Sequence, residues 1–127
     1  MTQTPQPYTP EVRFSDVDAY GIVHNAVYLV YLEEARIHWW RQVVGQAWNW
    51  HEVGVLVAHH DIDYLRPLKF GDAPSILCEV GKVGDKSIEV KYRVLTLGCK
   101  ERGRQRDGPL NHGTGKGWVK QVKGHYV

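Results

Sequence analysis

The amino-acid sequence predicts an α+β fold in which one long helix is followed by a sheet of antiparallel strands. Three later segments alternate apolar and polar residues, and short turn sequences rich in Gly and Asp separate them. A chain of 127 residues suits one domain with a single core. The helix is predicted from apolar residues that recur at the spacing of one helix face: Tyr28, Tyr31, Leu32, Ala35, Trp39 and Val43.

The chain before the helix divides into a tail, a candidate strand and a turn. Residues 1–7 are polar and contain two prolines, which predicts a disordered tail. The next stretch, YTPEVRFSD, alternates well enough for a first strand, with Tyr8, Val12 and Phe14 toward one side. The stretch SDVDAYGIVHN, at residues 15–25, is then predicted to turn the chain into the helix.

The predicted helix has recognisable ends. Asn25 stands where an N-cap belongs, and Gly45 stands where a C-terminal stop belongs. The helix would therefore contain about 18 to 20 residues and measure about 30 Å, at ~1.5 Å per residue. Because apolar residues also occupy its other faces, we expect a sheet, a partner subunit or both to enclose it.

Three strands are predicted after the helix. The first ends at Pro67, which interrupts the ladder of backbone hydrogen bonds. A Gly-Asp-Lys sequence between the second and third predicts a hairpin. The folded domain is expected to span residues 8–98, and its strands have the sequences VLVAHHDIDYLRP, APSILCEVGKV and SIEVKYRVLTLG.

Residues 99–127 differ from the rest of the chain. They contain seven basic and two acidic residues, a net charge of +5, which leaves −3 for residues 1–98 because the whole chain carries +2. Six glycines interrupt any alternation, and only GWVKQV suits a short strand. We expect an atypical basic segment, partly disordered, and a terminal strand that is atypical or missing. A reading-frame shift near Gly98 is an alternative origin, which resequencing the gene would test.

Several classes of protein are disfavoured by composition. No apolar run approaches the roughly 18 residues of a membrane span, and the N-terminus has no signal-peptide pattern. Cys78 and Cys99 form no CxxC pair, which argues against a disulfide framework or a zinc site. His59 and His60 are adjacent on a predicted strand and point to opposite faces, so they are poorly arranged for one metal ion. A cytoplasmic protein with reduced thiols is expected.

The turn before the helix can support chemistry on a carbonyl group. The first N–H groups of a helix lack partners within it, and the helix dipole adds positive potential there. A carbonyl oxygen bound there is polarised, and Asp18 can attack its carbon or activate a water molecule. Asp16 is expected to shape the turn by accepting backbone N–H groups. A thioester suits such a site because its thiolate leaves without a general acid.

The turn and the helix that follows it resemble the same segments of a known enzyme family. The segment VRFSDVDAYGIVHNAVYLVYLEEARIHWWRQV resembles the opening of hotdog-fold acyl-CoA thioesterases of the 4-hydroxybenzoyl-CoA thioesterase type. The shared pattern is a D-x-D-x-x-G turn, a His/Asn-rich entry and Y-L-x-Y-x-E-x-A-R on the central helix. DIDYLRPLKFGD resembles the next strand and turn, so the likeness covers about residues 10–98. Many relatives have G-H-V-N-N where this chain has GIVHN.

The resemblance implies about five antiparallel strands curled around the helix, and hydrolysis of an acyl-CoA without a metal or cofactor. It assigns catalysis to the Asp18 carboxylate and binding of the thioester oxygen to the Asn25 N–H. It implies a homodimer or homotetramer with active sites at the subunit interface. The lack of a long apolar run, by contrast, is the reason that no membrane partner is expected. Candidate substrate contacts lie around the turn and the helix entry: Tyr20, Gly21, His24 and Tyr28.

Other functions stay open at this point. An enoyl-thioester hydratase or dehydratase on the same fold would use a histidine with an acid, and His24 is near Asp18 in the sequence. A non-catalytic role in binding acyl-CoA or nucleic acid would draw on the basic charge of residues 99–127, although nucleic-acid binding is disfavoured. Loss of an enoyl-CoA without thiol release would indicate the hydratase, and salt-sensitive DNA binding would indicate the nucleic-acid role.

Overall fold

The computed structural model describes residues 5–45, 47, 53–97, 100–101, 104–105 and 109–123. A short 3-10 helix at Phe14–Asp16 precedes the long helix α1, Asn25–Val44. Three strands follow in the predicted positions, and the Gly84–Ser87 hydrogen bond closes the predicted hairpin. The six strands are β1 (Val53–Tyr64), β2 (Pro74–Val83), β3 (Ser87–Leu97), β4 (Lys100–Glu101), β5 (Arg104–Gln105) and β6 (Pro109–Lys123).

Four of these strands form one antiparallel sheet in the order β1-β6-β3-β2. The C-terminal strand β6 lies between β1 and β3, so Gly115 is opposite Ile62 on one side and Tyr92 on the other. β4 and β5 form a separate two-stranded ribbon. The prediction of an α+β architecture with antiparallel strands is therefore confirmed.

The helix buries the face that its sequence pattern predicted. Tyr28, Tyr31, Leu32, Ala35 and Trp39 are buried, whereas Val43 is largely exposed near the C-terminal end. They pack with the inward-facing residues of β2 and β3, which alternate along each strand. The core thus lies between α1 and one face of the sheet, and its strand residues are Ile76, Val90, Tyr92 and Val94.

The start of α1 differs by one residue from the prediction, whereas its end does not. Asn25 is the first helical residue, and His24 occupies the N-cap position without a capping hydrogen bond from its side chain. The Asn25 side chain instead accepts the N–H of Ala26 at 2.9 Å, so it caps from inside the helix. Gly45 ends the helix as predicted, with a φ of 85° that favours glycine.

The predicted first strand is shorter than expected. Tyr8 forms a single antiparallel bridge with Ile76, with N–H···O distances of 3.0 and 2.7 Å. Gln6 hydrogen-bonds the side chain of Gln42, so the chain crosses the helix before it reaches β2. Since Pro7 and Pro10 have no N–H to donate, a longer ladder is not available here. Within the described ranges, the main sheet has four strands, where the family resemblance implied about five.

The terminal strand that the sequence predicted to be atypical or missing is present. β6 has 15 residues and pairs along β1 and β3. Its composition is atypical because Gly113, Gly115 and Gly117 occupy alternate positions. A Cβ atom on Gly115 would lie 2.9 Å from the carbonyl oxygen of Asp61. The glycines therefore let β1 approach closely, and the backbone ladder forms without the apolar alternation that strand prediction requires.

Candidate active site

The turn before α1 is a small hairpin. Val17 and Val23 form an antiparallel bridge, and the Asp18 N–H donates to the Ile22 carbonyl at 2.8 Å. The Gly21 N–H donates to the Asp18 carbonyl at 2.9 Å. Gly21 has a φ of 73°, in the left-handed region where a side chain is strained, so glycine suits this position. The turn that the sequence predicts at residues 15–25 is therefore confirmed.

Asp18 uses one carboxylate oxygen to hold this turn. Its Oδ1 accepts the N–H groups of Tyr20 at 2.8 Å and Ile22 at 3.1 Å. Its other oxygen, Oδ2, has no hydrogen bond to any part of the chain that the structure describes. Asp18 is half-buried, so this second oxygen can still reach a ligand or a water molecule. One carboxylate thus combines a structural oxygen with an uncommitted one.

Asp16 has the structural role that the sequence predicted. It is only 3% exposed, and its Oδ2 accepts the Arg13 N–H at 3.0 Å and the Tyr31 hydroxyl at 2.8 Å. The Arg13 guanidinium contacts its Oδ1 at 3.1 Å. The carbonyl oxygen of Asp16 also accepts the His24 N–H at 3.0 Å. This residue therefore connects the segment before the turn to the start of α1.

The hydrogen bonds of Asp16 also determine the ionisation of Asp16 and Tyr31. Burial by itself would raise the pKa of the Asp16 carboxyl, but the hydrogen bonds from Arg13 and Tyr31 and the charge of Arg13 together lower that pKa below its ordinary value. Burial and the hydrogen bond to the Asp16 carboxylate raise the pKa of Tyr31. Asp16 is therefore ionised and Tyr31 is a neutral donor at neutral pH.

The N–H groups at the start of α1 are almost all occupied. The His24 N–H donates to Asp16, the Ala26 N–H donates to the Asn25 side chain, and the Val27 N–H donates to the His24 carbonyl. The Asn25 N–H, by contrast, has no acceptor within the described ranges. Because helix N-termini attract negative charge, this N–H is a ready donor for a ligand oxygen.

A cleft of about 290 Å³ has Asn25 in its lining. Its walls are mostly apolar, and two tyrosine rings in edge-to-face contact, Tyr28 and Tyr64, form one side. The Tyr28 hydroxyl accepts the Leu68 N–H at 3.2 Å, which holds the loop after β1 against the helix. The cleft is lined by Ile22, Val23, Asn25, Tyr28, Tyr64, Leu65, Arg66 and Pro67.

The predicted site residues divide into two groups. Asn25 and Tyr28 line the cleft. Asp18, Tyr20, Gly21 and His24 do not line it, but they lie on or beside the hairpin that contributes Ile22 and Val23 to its wall. Tyr20 is 88% exposed, so its ring has no packing role within the described part of the chain. These assignments as catalytic and substrate-binding residues remain predictions.

Tyr64 and Arg66 are cleft residues that the sequence did not single out. They follow Asn25 by about 40 positions and reach it only because the end of β1 lies beside the start of α1. The alternation of β1 could have indicated that Tyr64 lies on the same face of the strand as Ile62. No local pattern connects that strand end to the first turn of a helix, so this contact is a property of the tertiary structure.

The remaining structural findings concern metals, thiols and membranes. Across the described ranges, no three His, Cys, Asp or Glu side chains come together as a metal site. Cys78 is a free thiol whose pKa burial raises to about 12, and Cys99 lies outside the described residues. None of the helices in the described part of the chain combines the length and apolarity of a membrane span.

Sequence comparison identifies the family. A family model described as the thioesterase-like superfamily matches residues 12–117. The chain belongs to this superfamily. The match includes the D-x-D turn, the helix, and the sheet as far as Gly117 of β6, and the fold is the hotdog fold that the family resemblance implied. The thioesterase-like assignment thus covers both the hairpin and the cleft.

Individual relatives agree with this superfamily assignment. A 1,4-dihydroxy-2-naphthoyl-CoA hydrolase from Crocosphaera subtropica is 31% identical over 69% of this chain, and the long-chain acyl-CoA thioesterase FadM from Escherichia coli is 32% identical over 68%. Each match spans 66% of the relative's own length, slightly under two thirds. A Thermus thermophilus thioesterase, solved with coenzyme A and Zn, superposes with a TM-score of 0.71 at 28% identity, covering 98% of this chain and 84% of that one.

Proposed function

We propose that this protein hydrolyses an acyl-CoA thioester to a free acid and coenzyme A. The observation that carries the proposal is the Asn25 N–H, which has no acceptor among the described residues and lies at the positive end of α1, in a residue that lines the apolar cleft. A thioester carbonyl oxygen can accept this N–H while the acyl group enters the cleft. Negative charge that develops on the oxygen is then stabilised, an effect often worth about 3 kcal/mol per donor.

Asp18 is proposed to supply the attack on the thioester carbon. Its Oδ2 is uncommitted, and the two N–H groups bound to Oδ1 hold the carboxylate in a defined orientation. The carboxylate either adds to the carbonyl carbon, forming an anhydride that water then hydrolyses, or removes a proton from an attacking water. In both routes the carbon–sulfur bond breaks and the electron pair leaves with the thiolate of coenzyme A.

The substrate class is supported by the relatives and by the cleft. Two relatives of about 31% identity are named for a naphthoyl-CoA and for long-chain acyl-CoA, and a structural neighbour was solved with coenzyme A. Apolar and aromatic walls suit an acyl group, and Arg66 supplies a cation beside Pro67 in the lining. The acyl group is therefore proposed to be apolar or aromatic.

We also infer that two copies of the chain associate through β1. This strand pairs only with β6 among the described strands, which leaves its other edge able to pair with a second copy. Leu56 and Val57 on this strand are exposed apolar residues.

Leu56→Lys should convert a dimer into monomers, measured by light scattering. Leu77→Lys, a matched change on β2, should leave the mass unchanged, and dimers that persist in Leu56→Lys would exclude this edge as the interface.

The test of the proposed activity is a panel of short, long and aromatic acyl-CoAs with detection of the free thiol. Release of thiol that depends on enzyme concentration is the expected result. Loss of an enoyl-CoA without thiol release would support the hydratase reading, for which the exposed His24 is the available histidine. If no thioester in the panel is cleaved and none is hydrated, the enzymatic proposals fail.

The nucleic-acid proposal has less support. β6 takes residues 109–123 of the basic segment into the sheet, so this part of the segment is not a free tail. A mobility assay with DNA at low and high salt tests whether the basic segment, residues 99–127, binds nucleic acid. The predicted cytoplasmic location likewise stays a prediction, testable by fractionating cells that express the chain.

A further inference from the structure

Tyr64 connects the end of β1 to the first turn of α1. Its hydroxyl donates to the carbonyl oxygen of Asn25 at 3.0 Å, and its ring packs edge-on against Tyr28 with the centroids 5.0 Å apart. Tyr28 is itself held by the N–H of Leu68. Two tyrosines thus join the helix start, the strand end and the following loop around the cleft.

Burial does not explain the position of Tyr64. The side chain is 47% exposed, so it contributes less to the core than the buried Tyr28 beside it. Its hydroxyl nevertheless donates a hydrogen bond to Asn25, whose N–H has no acceptor among the described residues. The specific contacts of this half-exposed side chain, with the Asn25 carbonyl and the Tyr28 ring, are what point to a role at the candidate site.

The first residue of α1 needs such an anchor. Helix ends fray, and a side chain at the N-cap position usually restrains them. His24 occupies that position but forms no capping hydrogen bond through its side chain. The Tyr64 hydroxyl restrains the Asn25 carbonyl. This carbonyl and the Asn25 N–H belong to adjacent peptide planes, and the helical φ and ψ of Asn25 couple the orientation of one to that of the other.

We propose that Tyr64 is a positioning residue for thioester hydrolysis, holding Asn25 so that its N–H stays oriented toward the substrate oxygen. This inference rests on the proposed function, because it assigns a reason for the orientation of the Asn25 N–H. It predicts that the hydroxyl of Tyr64 matters for turnover more than for substrate binding or stability.

The test compares Tyr64→Phe with the matched control Tyr8→Phe. The Tyr8 hydroxyl also bonds α1, donating to Glu34 at 2.9 Å, but nine residues beyond Asn25, about 14 Å along the helix. Tyr64→Phe is expected to lower kcat by about tenfold, with KM changed less than about twofold and the melting temperature nearly unchanged. The NMR amide resonance of Asn25 should shift or broaden in Tyr64→Phe, whereas Tyr8→Phe should change neither kcat nor that resonance.

Each result bears on the proposal. A wild-type kcat and an unmoved Asn25 amide in Tyr64→Phe would overturn it, and a lost kcat accompanied by a large fall in melting temperature would reduce Tyr64 to a stabilising residue. If the wild-type protein releases no thiol, the proposed function fails separately. The Asn25 amide then decides by itself: a shifted resonance supports positioning by Tyr64, and an unmoved one excludes it.

Discussion

Replacing Asp18 by asparagine is expected to lower kcat for thiol release by a factor of about 10² to 10⁴ while the fold is retained. Asparagine keeps an Oδ1 atom, which can still accept the N–H groups of Tyr20 and Ile22. It loses the negative charge and the uncommitted oxygen that can attack the thioester carbon or activate water. The substitution thus separates the structural oxygen of Asp18 from the proposed chemical one.

The measurement is thiol release from the best acyl-CoA of the panel, together with the melting temperature. Asp85→Asn in the hairpin between β2 and β3 makes the same chemical change away from the cleft and should retain full activity. A variant Asp18→Asn that cleaves at the wild-type rate would remove Asp18 from the mechanism. A variant that is inactive and also unfolded would instead show that the turn depends on the charge.

Replacing Asp16 by alanine is expected to lower the free energy of unfolding by about 2–4 kcal/mol. The change removes the acceptor for Tyr31 and for the Arg13 N–H, and it leaves the Tyr31 hydroxyl without this partner in the core. Arg13→Ala is the matched control. Because its guanidinium side chain is 67% exposed and its backbone bond is kept, we expect a loss of less than about 1 kcal/mol. Urea unfolding of both variants measures the two losses in free energy of unfolding. Equal losses would contradict the structural role assigned to the buried Asp16 carboxylate.

Asp16 should also make the free energy of unfolding depend on pH. The folded-state pKa of Asp16 is lowered, so its contribution is fully present above the unfolded pKa of about 3.9 and is lost as pH falls through the folded pKa. Wild-type stability should therefore fall below about pH 4, and Asp16→Ala should show a shallower dependence in that range. An identical slope in the two proteins would mean that Asp16 is not the group responsible.

The elements defined by local pattern were predicted well. Apolar spacing along α1 identified its buried face, because residues three and four apart on a helix share one side, and the residues at its two ends identified its length. Alternation identified β1, β2 and β3, and the Gly-Asp-Lys sequence identified the hairpin between β2 and β3. β6 was missed as a long strand because glycine is unfavourable in isolated strands, whereas here it is required by the close approach of β1.

For the candidate site, the sequence by itself determined the turn: two acids and a glycine before an apolar helix indicate a hairpin leading to a helix N-terminus. Those features depend on neighbouring residues and on backbone conformation, which short patterns record. Only the tertiary structure decided that the neighbouring N–H groups are occupied while the Asn25 N–H has no acceptor in the described part of the chain, and that Tyr64 contacts the helix start. Those features depend on contacts between segments about 40 residues apart, which form only when β1 lies beside α1 in the folded chain.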